Sequence, residues 1–175
     1  MEVRALPREQ CRRFVVLKIE EYFLPTMTLR VTNPVSLTSW HSFGDPSGVA
    51  SAHHSLLEAL HREGRPALRT LGVYELPTAA TAGYYVGAVE VRDDELDTRS
   101  SMEVPGGYFL CVEHVGPLAT LGASMEWFYD EYVPTSPYAP RSGVHLALFD
   151  PRFEPHGSDS VMTFGLPVNR RGAEH

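Results

Sequence analysis

Apolar residues recur along this chain in two rhythms, and the switches between them mark out its elements. From Val49 to Glu63 the spacing is helical: Val49, Ala52, His53, Leu56, Leu57 and Leu60 share one face. Asp45 suits the N-cap and Pro46 the first helical position, while Gly64 supplies a left-handed stop and Pro66 blocks continuation. A second helical run follows Gly116–Pro117, with Leu118, Leu121, Met125, Phe128, Tyr129 and Tyr132 on one face and an expected end before Pro134. Each helix has about four turns, enough to cover a small sheet. Short β-rich runs bounded by turn residues surround them: Phe14 to Glu20, Leu71 to Leu76, Tyr84 to Val91, Tyr108 to Val115, Val144 to Phe149 and Val161 to Val168.

In chain order these elements read strand, helix, strand, strand, and then the same again. The pattern predicts an α+β fold of duplicated strand-helix-strand-strand units, forming a pseudo-symmetric antiparallel sheet with two helices and a cleft between the halves. The halves span about 1–98 and 99–169 of a single domain, 1–175, with the polar stretch Arg92 to Ser100 as their connection and 170–175 as a tail. A cleft at such a seam is a natural place for a ligand. Residues 22–45 break the symmetry as an insertion between the first strand and the first helix. That insertion reads either as an added strand or flap beside the seam or as an extra piece of core.

Composition narrows the function classes. The 175 residues suffice for one sizeable core, and 43% hydrophobic with 21% charged residues is ordinary for a soluble globular protein. A net charge of -7 argues against a nucleic-acid partner, which needs a basic footprint. Arg12–Arg13 and Arg170–Arg171 are short clusters near the termini. The first residues lack the apolar core of a signal peptide and no apolar run would span a membrane, so the expectation is a cytoplasmic protein without a membrane partner. Cys11 and Cys111 form no Cys-x-x-Cys pair, and Cys111 in an apolar strand reads as a small buried hydrophobe.

Few residues point to chemistry. There is no Gly-x-Ser-x-Gly elbow and no phosphate-cradling glycine loop. The eight histidines give no metal motif: His53 and His54 face different sides of a helix, and His54 and His61 are two turns apart. No metal and no cofactor is expected. Aromatic residues are more suggestive, because pockets for flat ligands favour aromatic walls with a few polar anchors. At helical spacing Trp127 points nearly opposite the apolar face of its helix, so it calls for a ligand, the 22–45 segment or another subunit of a homodimer. Glu113 and Glu90 sit on strands, where a carboxylate could bind a cation or serve as a general base, or lie on a solvated face.

With these motifs in place, the chain resembles the GyrI-like small-molecule-binding domain family, which includes gyrase inhibitor proteins and the effector-binding domains of AraC-type and multidrug-sensing bacterial transcription regulators. The carriers are Val104-Pro-Gly-Gly-Tyr-Phe-Leu-Cys-Val-Glu-His-Val-Gly-Pro117, Trp127-Phe-Tyr-Asp-Glu-Tyr-Val-Pro134, Ser136-Pro-Tyr138, Leu148-Phe-Asp-Pro151 and Leu166-Pro-Val168. The resemblance implies the two-half fold, a ligand cleft between the halves, and a stand-alone member without a DNA-binding domain. It also implies amphipathic or cationic aromatic ligands, held by a glutamate four residues before the last proline. That position is Thr163 here, and a second acid common in the family falls near Ala147.

The expectation is therefore binding or sequestration of a hydrophobic aromatic small molecule in the cleft, without direct nucleic-acid binding. The expected ligand-binding residues are Tyr84, Tyr108, Trp127, Tyr138, Phe149, Thr163, Phe164 and Trp40. Two alternatives come with the resemblance. One is a hydrolase detoxifying electrophilic cyclopropane-bearing natural products, with Glu113 or Glu126 as the catalytic candidate. The other is a protein-interaction module of the gyrase-inhibitor type.

Overall fold

Nine strands of a single antiparallel sheet, with two helices on one face, account for most of the described residues. The computed structural model describes residues 18–36, 47–64, 70–75, 84–90, 101–150 and 153–172, with 32–36, 47–52 and 84–90 described by their backbone. Trp40, Cys11 and the expected cap at Asp45–Pro46 lie outside the described residues. The strands are β1 (Lys18–Leu24), β2 (Met27–Ser36), β3 (Thr70–Glu75), β4 (Tyr84–Glu90), β5 (Ser101–Val104), β6 (Gly107–Val115), β7 (Tyr138–Pro140), β8 (His145–Phe149) and β9 (Val161–Arg170). Helix α1 spans Ser47–Arg62. Helix α2 spans 118–135 and opens with a 3-10 turn at Leu118–Thr120. The strand order is β1-β6-β9-β8-β3-β4-β2-β5, with β7 beside β9. Among the described residues no helix is long and apolar enough to cross a membrane.

The pairings repeat in the two halves. In the first, β2 precedes α1 and the hairpin β3–β4, and pairs with β4. In the second, β6 precedes α2 and the hairpin β8–β9, and pairs with β9. The halves meet where β3 pairs with β8, with Thr70 opposite Phe149 and Tyr74 opposite His145. The segment 22–45, expected as an insertion, thus contains β2, the strand that holds in its half the place of β6 in the other. The expected first strand at Phe14 to Glu20 is instead β1, which runs to Leu24 and belongs beside β6.

Two long bent strands cross between the halves. β1 and β2 are separated by Pro25–Thr26 alone, and β5 and β6 by Pro105–Gly106 alone. One register runs through both breaks, from Lys18 opposite Glu113, through Leu24 opposite Gly107 and Met27 opposite Val104, to Arg30 opposite Ser101. Each break falls at a proline, whose missing N–H cannot continue the ladder. At the crossing the Gly106 N–H donates to Thr26 Oγ1 at 3.0 Å. A Cβ on Gly106 would lie 2.6 Å from Thr26 N and 2.8 Å from Leu24 O, both backbone atoms that cannot swing aside.

Because the sheet closes on itself through these crossing strands, both of its faces are buried. Leu110, Val112, Phe164, Leu166 and Val168 pack towards α2 with Leu121, Met125 and Phe128. Phe109, Cys111, Leu71, Val73, Leu146 and Leu29 form a second core on the opposite face. This explains why β6 and β9 read as continuous apolar runs rather than as alternating ones. Cys111 is a free thiol in the second core, where burial pushes its pKa up to about 12.

The helices depart from expectation in two places. Leu57 is 39% exposed, while His53, Leu56 and Leu60 make the buried stripe of α1. α2 runs on past Pro134 to Thr135, after a wide π-type turn at Phe128–Tyr132. A wide turn shifts the bonding from i→i+4 to i→i+5 and lets the chain absorb a proline that a regular helix would reject.

The crossing makes a stability prediction. Gly106→Ala should lower unfolding stability by about 2–3 kcal/mol or more, since the clash is with backbone. Gly64→Ala, at φ +68 with open space around its Cβ, should lower it by about 1 kcal/mol from conformational strain alone. Urea unfolding of the two variants checks the ranking, and equal losses would contradict it.

Candidate functional site

Among the described residues, several aromatic rings meet at the joint between β3 and β8. Side chains alternate along each strand, so Tyr74 of β3, His145, Ala147 and Phe149 of β8, and Met162 and Phe164 of β9 share the helix-covered face. Tyr74 and His145 are register partners, and their rings stack at 5.1 Å with 21° between planes. Phe164 lies 5.1 Å from Tyr74 and 6.0 Å from His145. Tyr129 of α2 meets Phe164 edge-on at 6.1 Å, and Phe128 does so at 6.3 Å. On the α1 side His53 sits 4.3 Å from Phe149 and 5.0 Å from Phe153. Such offset and edge-to-face contacts are the favoured aromatic geometries.

The polar groups here are imidazoles and phenols. His53 and His145 are both buried, and the Nδ1 atom of each has no hydrogen-bond partner. Burial lowers both pKa values from 6.5 to about 4, with the neighbouring His54 adding to the effect at His53. Burial also raises the Tyr129 pKa above its ordinary value of 10. All three groups are therefore uncharged at neutral pH. Among the residues whose side chains are described no carboxylate is buried.

A third buried histidine fixes the cover over this face. His114 on β6 reaches the start of α2: its Nε2–H points at Pro117 O, 3.2 Å away, so Nδ1 accepts from the Ser124 hydroxyl at 3.0 Å. Thr120 Oγ1 lies 3.3 Å from the same Nε2 and donates to Pro117 O at 2.8 Å. The first turns of α2 are thereby tied to the sheet through side chains.

The expected site residues divide among several places. Phe149 and Phe164 are in the aromatic joint and are buried. Thr163 alternates with Phe164 and so faces the other side of β9, opposite Glu113 of β6 and Leu148 of β8. Glu113 in turn faces Lys18 across β1, whose pKa is raised first by the Glu20 hydrogen bond and more weakly by Glu113. Trp127, expected to point away from the apolar face of its helix, packs against the helix-side core, 5.6 Å from Tyr132. Tyr138 donates its hydroxyl to the Glu21 carboxylate and rests on the edge of the helix-side core. Tyr108 is 49% exposed and lies edge-on to Phe23. Glu126 is exposed on α2. Tyr84 lies on β4, where the backbone alone is described, and Trp40 falls outside the described residues.

Thr163 and Trp127 are thus on opposite sides of the sheet, and Phe164, not Thr163, looks towards the joint. His145, Tyr74 and Tyr129 complete the ring cluster. The available signal was parity: His145, Ala147 and Phe149 alternate on one short strand, beside the position where the family commonly has an acid. One open hollow of about 530 Å³ lies on the solvent side of α1, lined by His54, Leu57, Glu58, His61 and Arg62. Those described walls all belong to one helix and none is aromatic apart from the imidazoles, so the hollow lacks the enclosure an apolar ligand needs. Among the described residues no cluster of three or more His, Cys, Asp or Glu could hold a metal ion.

The comparisons with known proteins identify the family and the fold. Residues 44–163 match the family model of the GyrI-like small molecule binding domain. The match covers more than half of the chain, and the chain belongs to that family. No curated protein sequence matches it. Among solved structures, that of SAV2435 bound to tetraphenylphosphonium superposes with a TM-score of 0.61 at 12% identity, over 87% of this chain and 94% of that one. The EcmrR C-terminal domain gives 0.60 at 9% identity, over 89% and 99%. The integron cassette protein VCH_CASS2 of Vibrio cholerae gives 0.53 at 11%, over 88% and 99%. At these identities the likeness shows the fold.

The buried imidazoles make stability depend on pH. Their folded pKa values lie below the unfolded value, so the unfolded chain binds more protons between about pH 6.5 and 4. Stability should be full above that window and fall as pH drops through it, by up to about 3 kcal/mol per histidine. Urea midpoints across this range check the trend, and His145→Phe should remove its share of the dependence, leaving that of His53 and His114.

Proposed function

We propose that this GyrI-like small-molecule-binding domain takes an uncharged planar aromatic compound at the joint between its halves, with Phe164, Tyr74 and Tyr129 as the stacking walls. One observation carries the reading: aromatic rings of both halves converge at the β3–β8 joint, and among the residues whose side chains are described no carboxylate is buried. A buried cation without a counter-charge is strongly unfavourable, so a neutral guest suits these walls better than a cationic one. The protein in complex with tetraphenylphosphonium shows that the fold can hold a bulky aromatic compound. Here the rings are packed against one another, and a guest must part α2 from the sheet. The wide turn Phe128–Tyr132 lies over Phe164 and is where α2 departs from regular helical bonding.

The hydrolase alternative finds no such support. Glu126 is exposed, and Glu113 faces Lys18 on the sheet face away from the aromatic joint.

Naphthalene should raise the melting temperature, and tetraphenylphosphonium at equal concentration should raise it less. Phe164→Ala should weaken naphthalene binding by about tenfold or more, since it removes a stacking wall. Thr163→Val, on the other sheet face, should leave it unchanged. Isothermal titration of both variants decides: weakening by Thr163→Val with none by Phe164→Ala would put the ligand on the opposite face.

A further inference from the structure

The joint holds a ring nitrogen that is buried without a partner. His145 is 7% exposed and stands in register with Tyr74 across the β3–β8 pair. Nδ1 has no partner among the described residues, and a neutral imidazole intrinsically prefers to carry its proton on Nε2. The neutral ring carries one proton only, and Nδ1 is left as a bare lone pair. The imidazole that carries it lies beside the rings of Tyr74 and Phe164. A buried acceptor without a donor is costly, and buried polar groups are as a rule satisfied. An unsatisfied one at a binding joint invites completion by the guest.

Resting on the reading above, we propose that His145 Nδ1 accepts a hydrogen bond from the ligand, and that the domain therefore selects planar uncharged aromatics bearing an O–H or N–H donor, such as phenols, indoles or aryl amines. The aromatic walls recognise the flat body, and the imidazole reads one substituent at its edge. A site built around a buried acceptor discriminates against a guest that lacks the donor, because the guest then seals the acceptor away from water unpaired.

The test uses three probes with the full chain: 2-naphthol, 2-methoxynaphthalene and naphthalene. 2-Naphthol should bind about tenfold more tightly than either donor-free compound. His145→Phe keeps an aromatic ring but removes the acceptor, and should bring the three affinities together. In the unmodified protein, ¹⁵N NMR should show the His145 Nδ1 resonance moving upfield on addition of 2-naphthol and not on addition of naphthalene. This readout holds even where the variant fails to fold. Equal binding of the three probes, or a preference that survives His145→Phe, would overturn the proposal while leaving aromatic binding at the joint intact. Failure of all three to bind would sink the binding reading itself.

Discussion

The close passage of Gly106 over Pro25–Thr26 is the constraint on which the rest of the molecule depends. Two extended segments cross there with backbone atoms in the space a side chain would need. The crossing lets one register continue from β1–β6 into β2–β5. The sheet therefore begins and ends on the same two segments, and its second face packs against itself. That second core sets the curvature and leaves the outer face to the helices. Were the crossing wider, the β3–β8 joint would lose the backing of Leu71, Val73 and Leu146.

Much of the second half was legible because its signals are local. Gly116–Pro117, the apolar stripe of α2 and the runs at β6, β8 and β9 fall where periodicity places them. The first half was less so. β2 contains Thr28, Arg30, Thr32, Asn33 and Pro34, with a bulge at Thr32, and its pairing depends on β4 and β5 far along the chain. A proline inside a strand argues for a loop in a sequence reading, yet at Pro34 the strand is paired with β4 and β5 has already ended. Such non-local pairing leaves no mark in a window of ten residues.

The convergence of aromatic residues was legible in part: those on the last strand and second helix do meet, Phe149 and Phe164 among them. Thr163, expected as the polar anchor, lies one position from Phe164, and on a strand one position is the whole thickness of the sheet. His145 escaped notice because a lone histidine in an apolar run reads as core. It is core, and what distinguishes it is a nitrogen without a partner, which depends on the register with Tyr74. The tie from His114 to Pro117 and Ser124 is likewise a tertiary fact: it holds one end of α2 firmly while the wide turn sits further along.

The pairing of β1 with β6 and of β2 with β5 has one more consequence. Each half lends a strand to the border of the other, in the manner of a domain swap carried out within one chain. Neither half presents a complete sheet by itself, so the two are complementary fragments rather than independent modules. Such an interlock also couples the β3–β8 joint to the rest of the sheet. Any movement that opens the joint must be passed through the shared strands to the far side of the sheet.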